Sequence, residues 1–151
     1  MANTQAMCTS FKTEILSGIH ALGTTVIRAG TGADTLKAAL YLASATVNAA
    51  TTAYSATGEV SGTGYSAGGV TATNATAPTS SGTTAYWTPS ASFTYTTVTL
   101  TTSFDCVLVY NSTQSNKAIS VHTFGAQTIT AGTFVLSMPT NDASNALIRI
   151  A

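Results

Sequence analysis

Phe104-Asp105-Cys106-Val107-Leu108-Val109-Tyr110 is the stretch on which the fold turns. Phe104, Cys106, Leu108 and Tyr110 point to one side of an extended chain, and Val107 and Val109 to the other, the period of two of a β-strand. Apolar residues on both faces mark a strand covered on both sides, hence a central one. Asn111 to Asn116 supplies turn chemistry, so the strand folds back through a hairpin onto Ala118 to Phe124. Tyr86-Trp87, Phe93 to Leu100, Thr133 to Met138 and Ala146 to Ile150 are further strands, rich in β-branched and aromatic residues. Ala131-Gly132 is expected to make a tight turn, and Pro139 to stop the strand before it.

Upstream the pattern thins. Leu36, Ala38, Leu40 and Leu42 alternate with Lys37, Ala39 and Tyr41, a clear strand. Thr24 to Arg28 is a weaker strand, and Val70 to Thr73 a short one. Between them lies Gly58-Glu59-Val60-Ser61-Gly62-Thr63-Gly64-Tyr65-Ser66-Ala67-Gly68-Gly69, a structured loop or bulged ribbon. The one helix is at the start: Met7, Phe11, Ile15, Ile19 and Leu22 form a single stripe at the helical period, with Thr9 or Ser10 as cap and Gly23 as stop. Gly18 falls inside it and weakens it. The expected organisation is one domain, 1–151: a helix over 6–23, then an antiparallel β-sandwich or jelly roll over 24–151.

Charge narrows the function. The 151 residues include five Lys or Arg and five Asp or Glu, and the net charge is zero. Ordinary domains are about one-quarter charged. Five scattered cations cannot neutralise a run of phosphates, which excludes nucleic acid as a partner. There is no apolar run of transmembrane length. The amino terminus lacks a secretory pattern, so the chain reads as made in the cytoplasm, with Cys8 and Cys106 as buried free thiols. A surface of Thr, Ser, Ala, Gly and Asn forms hydrogen bonds but repels neighbours weakly. It suits a protein packed against other subunits.

The chemistry-bearing motifs are thin. Gly62-Thr63-Gly64-Tyr65-Ser66-Ala67 matches a dinucleotide fingerprint, but β-branched residues follow it instead of a helix, and no acid occurs between Glu59 and Asp105. Its glycines read instead as allowing positive φ and close chain approach. His20 and His122 lack metal-ligand spacing, and no nucleophile elbow or paired carboxylates exist. No cofactor, metal or catalytic residue is expected, and the chain does not read as an enzyme. An enzyme would need convergent groups in a cleft, such as Asp105 with His122. Tyr86, Trp87, Phe93 and Tyr95 fit either a sugar-binding platform or sheet packing.

Several blocks carry a resemblance. They are Ser10-Phe11-Lys12 with Glu14-Ile15-Leu16 and Gly18-Ile19-His20; Asp34-Thr35-Leu36-Lys37 with Ala39-Leu40-Tyr41; and Gly58 through Gly69, the sharpest of them. Val109-Tyr110-Asn111 with Asn116-Lys117-Ala118, then Gln127 through Phe134, then Asn145 through Ala151 complete the set. Together they resemble small structural proteins of tailed bacteriophage virions, most of all capsid decoration (cement) proteins. The resemblance implies a homo-oligomer, dimer or trimer, on the capsid surface, bound to the major capsid protein. The alternative is a tail or fibre accessory protein with a glycan- or host-binding β domain. Phe11, Ile15, Ile19 and Tyr65 are the candidate partner-interface residues; the helix stripe can face its own sheet or a neighbour.

Overall fold

A long hairpin organises the molecule. The computed structural model describes residues 3–16, 18–23, 33–73 and 76–151. In chain order the elements are β1 (Ala6–Met7), α1 (Thr9–Leu16), β2 (Leu36–Leu42), β3 (Val70–Thr71), β4 (Thr79–Ser81), β5 (Thr84–Trp87), β6 (Phe93–Asn111), β7 (Lys117–Leu136) and β8 (Ile148–Ile150). A five-stranded sheet runs β1-β7-β6-β2-β3 and a three-stranded sheet runs β4-β5-β8. All pairings are antiparallel. The protein is therefore mainly β, antiparallel, with a short N-terminal helix.

The segment quoted first is central, as its two apolar faces require. Leu108 stands opposite Ala39 of β2 on one side and Val121 of β7 on the other. Phe104 and every residue from Cys106 to Asn111 are buried. Phe104 and Cys106 to Tyr110 join Leu36, Leu40, Phe11, Trp87 and Ile119 in the core cluster. Each such large side chain contributes roughly 1.5–3 kcal/mol on burial.

Three expectations are corrected. The helix expected over 6–23 spans only Thr9–Leu16, because Ala6 and Met7 pair instead with Val121 and Ser120 of β7. Gly18 is its terminator, not a weak interior position: at φ 66° its N–H bonds Ile15 O, and Ile19 N–H bonds Glu14 O. Those two bonds make a Schellman motif, which needs a left-handed residue at that position. Ile19 and Leu22 thus lie beyond the helix.

Second, the strands expected at Phe93–Leu100 and Phe104–Tyr110 are one strand, β6, and those at Ala118–Phe124 and Thr133–Met138 fuse into β7. Third, the turn expected at Ala131-Gly132 is a bulge within β7. Val98 pairs with Gly132 and Leu100 with Ile129, so β7 carries an extra residue there, and Ala131 takes φ 46°. The strand expected at Thr24 to Arg28 lies outside the described residues. β1 and β4 had no signal in the sequence.

Candidate functional site

The acids turn inward. Glu14, Asp34 and Glu59, three of the five acidic residues, are buried, and each anchors a loop to the sheet. Glu14 projects from α1 and accepts from Lys117 Nζ at 2.6 Å and from His20 Nε2 at 2.7 Å. Asn111, at the end of β6, uses Oδ1 to accept from Thr113 N and Gln114 N, both at 3.1 Å. Its Nδ2 is thereby aimed at Asp34 Oδ2, 2.8 Å, and His20 Nδ1, 3.0 Å. Nδ1 of His20 must then accept, which leaves its proton on Nε2 to be donated to Glu14. Ala21 N–H and Gln114 Nε2 complete the Asp34 shell. Burial pulls the Glu14 carboxyl up, but the bonds from Lys117 and His20 outweigh it and hold the group below its ordinary value. The histidine side chain has 0% exposure and lies edge-on to Phe11. This assembly clips the N-terminal segment to the hairpin turn.

The Gly58–Gly69 loop has its own anchor. Glu59 accepts from Tyr54 OH at 2.6 Å, Tyr65 OH at 2.7 Å and Gly68 N–H at 2.7 Å. Tyr65 OH also accepts from Leu40 N–H of β2. Tyr110 OH donates to Gly68 O and Tyr95 OH to Ala38 O. Tyr54 stacks on Tyr110 and Tyr65 on Tyr95. Burial and the neighbouring carboxylate push the phenols upward: Tyr110 to about 12, and Tyr54, Tyr65 and Tyr95 further. These are phenols fixed as donors. The glycines are there for close approach: a Cβ on Gly64 would run into Thr97 O, and one on Gly69 into Ala38 O. No helix follows Gly62–Ala67, so the fingerprint is a loop pressed onto β6 and β2.

One sizeable cleft, about 820 Å³, opens where the two sheets end. Gln5 to Met7, Ser120 to His122, Leu136 to Pro139 and Asn145 to Arg149 contribute to its walls. Ser120 Oγ lies 2.9 Å from His122 Nε2. Burial pushes the imidazole down to about 4, so it stands neutral near pH 7. Asp105 is not on the lining; its carboxylate accepts from Asn3 Nδ2 at 2.6 Å. The cleft thus brings a histidine and a serine together without the acid that would orient the imidazole.

The sequence-derived interface residues fall on two elements: Phe11 and Ile15 on α1 with Ile19 just beyond it, and Tyr65 in the Gly58–Gly69 loop. Phe11 has no exposed surface, Tyr65 is tied to Glu59, and Ile15 and Ile19 are half-buried. Trp87 is 1% exposed, with its indole N–H on Thr76 O, and Phe93 and Tyr95 are buried, so these three pack in the interior, while Tyr86 is half-buried. Cys8 and Cys106 are buried free thiols, which burial pushes up to about 11 and 12. Among the described residues, no group of three His, Cys, Asp or Glu is placed to hold a metal ion. What sequence reasoning missed is the anchoring role of Asn111, which it placed only at a loop boundary and in one of the resemblance blocks. Its signal would have been an Asn two and three residues ahead of the amides it caps, the spacing of an Asx turn. Compared with protein families, curated proteins and solved structures, the chain matches none.

Proposed function

We propose that this chain is a virion structural protein of the tailed-phage kind, which decorates the capsid shell and stabilises it by bridging neighbouring capsid subunits. The observation that carries this is where the acids sit. With Glu14, Asp34 and Glu59 buried, a sequence already poor in charge presents an outer surface poorer still. Such a surface meets other subunits through hydroxyl, amide and apolar contacts. A protein that binds only the assembled shell stabilises it by the free energy of that binding. Several weak contacts held at once multiply through effective concentration. The sequence resemblance supports the placement on the head.

The test is rebinding. Purified protein is added to mature heads stripped of it, and copies per head are counted by quantitative mass spectrometry. Hundreds of copies at a fixed ratio to the major capsid protein are expected, with binding changed little between low salt and about 1 M salt, since few ion pairs are there to be screened. A handful of copies confined to a vertex or tail favours the tail-accessory alternative, whose glycan site would have to be built without Trp87.

A further inference from the structure

His20 sits where its neighbours dictate which nitrogen holds a proton. The side chain has no exposed surface and lies edge-on to Phe11. Asn111 cannot turn its amide over: Oδ1 accepts from Thr113 N and Gln114 N, and Nδ2 donates to Asp34 Oδ2 at 2.8 Å. Nδ2 therefore also meets His20 Nδ1 as a donor, at 3.0 Å, and Nδ1 accepts. On the other side Nε2 faces Glu14 Oε2 at 2.7 Å, and that carboxylate, held below its ordinary value, only accepts. The contact with Asn111 thus exists only while the ring carries a single proton, on Nε2.

Charge works against that single-proton state. Among the described residues, the charged groups around the ring are Glu14 of α1, Asp34 ahead of β2 and, through Glu14, Lys117 of β7. The Cys8 thiol near Glu14 is pushed up to about 11, by burial first, and stays neutral. Two carboxylates against one ammonium leave a negative charge in excess, which draws a second proton to the ring. That proton has only Nδ1 to occupy, where it meets Asn111 Nδ2 donor against donor. Asp34 Oδ2, bonded to the same Nδ2, is the acceptor that Asn111 would vacate. The two arrangements differ in what they join. Glu14, His20 and Asp34 all precede β2, with Ala21 N–H on Asp34 Oδ2 and Asp34 N–H on Ala21 O; Asn111 belongs to the hairpin.

We infer that His20 is an acid-operated latch: its second proton replaces the bonds from Asn111 to the N-terminal segment by bonds within that segment, and frees the turn that Asn111 caps. Lys117 Nζ on Glu14 and Cys8 N–H on Ile119 O hold the N-terminal segment to β7 in either state, so the turn loosens and the fold does not. The latch goes beyond the decoration proposal and is independent of it.

Nitrogen-15 NMR of the full chain between about pH 8 and pH 5, the window in which histidines ordinarily change charge, tests it. At the alkaline end His20 is expected with a proton on Nε2 and none on Nδ1. As the ring takes its second proton, the protection of the Thr113 and Gln114 amides against exchange should fall by about tenfold each, the loss of one hydrogen bond. Ala21, whose acceptor lies in its own segment, should keep its protection. His122, pushed down to about 4, titrates below this window. Asn111→Asp places an acceptor where Nδ2 stood and should reverse the trend, with protection of the two amides rising on acidification. His20→Gln should remove the pH dependence. A ring protonated on Nδ1 at the alkaline end, or one that takes no second proton by the acid end, overturns the inference. So do wild-type amides that keep their protection after His20 has titrated, an Asn111→Asp chain with the wild-type trend, or a His20→Gln chain that loses the same protection in the same window.

Discussion

The two ends of the β6–β7 hairpin share one backbone pairing and differ in almost everything around it. At the turn end, Phe104–Asn111 is hydrogen-bonded to β2 as well as β7, β1 joins β7 from outside, and Glu14, His20 and Asp34 clip the turn to the N-terminal segment. At the far end, Phe93–Leu100 is flanked by the Gly58–Gly69 loop, which touches it at Thr63 and Thr99, and the outer edge of β7 is bare among the described residues. One end is closed and carries stability. The other keeps alternate residues of β7 exposed to solvent. A single pair of strands can have both ends because bulges near Val98 and Ala131 absorb the change in curvature.

Substitutions sharpen the contrast in order of size. Phe104→Ala, at a fully buried ring in edge contact with Phe124 and Phe134, should cost about 4 kcal/mol in urea unfolding. Glu59→Ala leaves Tyr54 OH, Tyr65 OH and Gly68 N–H without their acceptor and should cost about 3 kcal/mol, with the near-ultraviolet tyrosine signal reporting release of the loop. Equal, small losses at both positions would erase the distinction between closed and open ends.

The next effect is in pH. His122 falls to about 4 from an ordinary 6.5, so between those values the unfolded chain binds a proton that the folded chain refuses. Stability is full above pH 6.5, declines as the pH drops towards 4, and should lose about 3 kcal/mol in total. His122→Phe should flatten that slope in denaturant titrations taken across the window. Glu14, lowered in the folded state, adds its own loss only below 4.5, and the variant should leave that loss in place. The smallest effect belongs to the open end. Val135→Thr, at an exposed side chain, should change the unfolding free energy by under about 0.5 kcal/mol in denaturant titration.

The strands were legible where side chains alternate or where both faces are apolar, as at Leu36–Leu42 and Phe104–Tyr110. β6 was divided at Thr101-Thr102-Ser103, where no large apolar residue occurs, and Ala131-Gly132 in β7 reads as a turn by its residue types. Pairing with the opposite strand overrides that local preference. The helix was over-read because Ile19 and Leu22 continue the stripe by spacing alone, while Gly18 acts through backbone conformation. The importance of the Gly58–Gly69 loop was visible in its glycines and in Glu59, but Tyr95 and Tyr110, which stack on Tyr65 and Tyr54 and bond the backbone around the loop, come from β6, distant in sequence. The His20–Asn111 contact joins residues 91 apart in sequence, and no local pattern encodes that distance.

The order in which the strands meet has a consequence for how the protein is made. β2 waits for β6, and β1 waits for β7, with Ala6 paired to Val121. The one long pairing with a short loop, β6 with β7, lies late in the chain. During synthesis from the N-terminus, the helix and β2 therefore leave the ribosome long before the strands that cover them. The β6–β7 pairing closes across a short turn, whereas docking β1 and β2 onto it closes long loops. Until then the nascent chain exposes Phe11 and Leu36–Leu42, apolar segments that are buried only once the late strands are made.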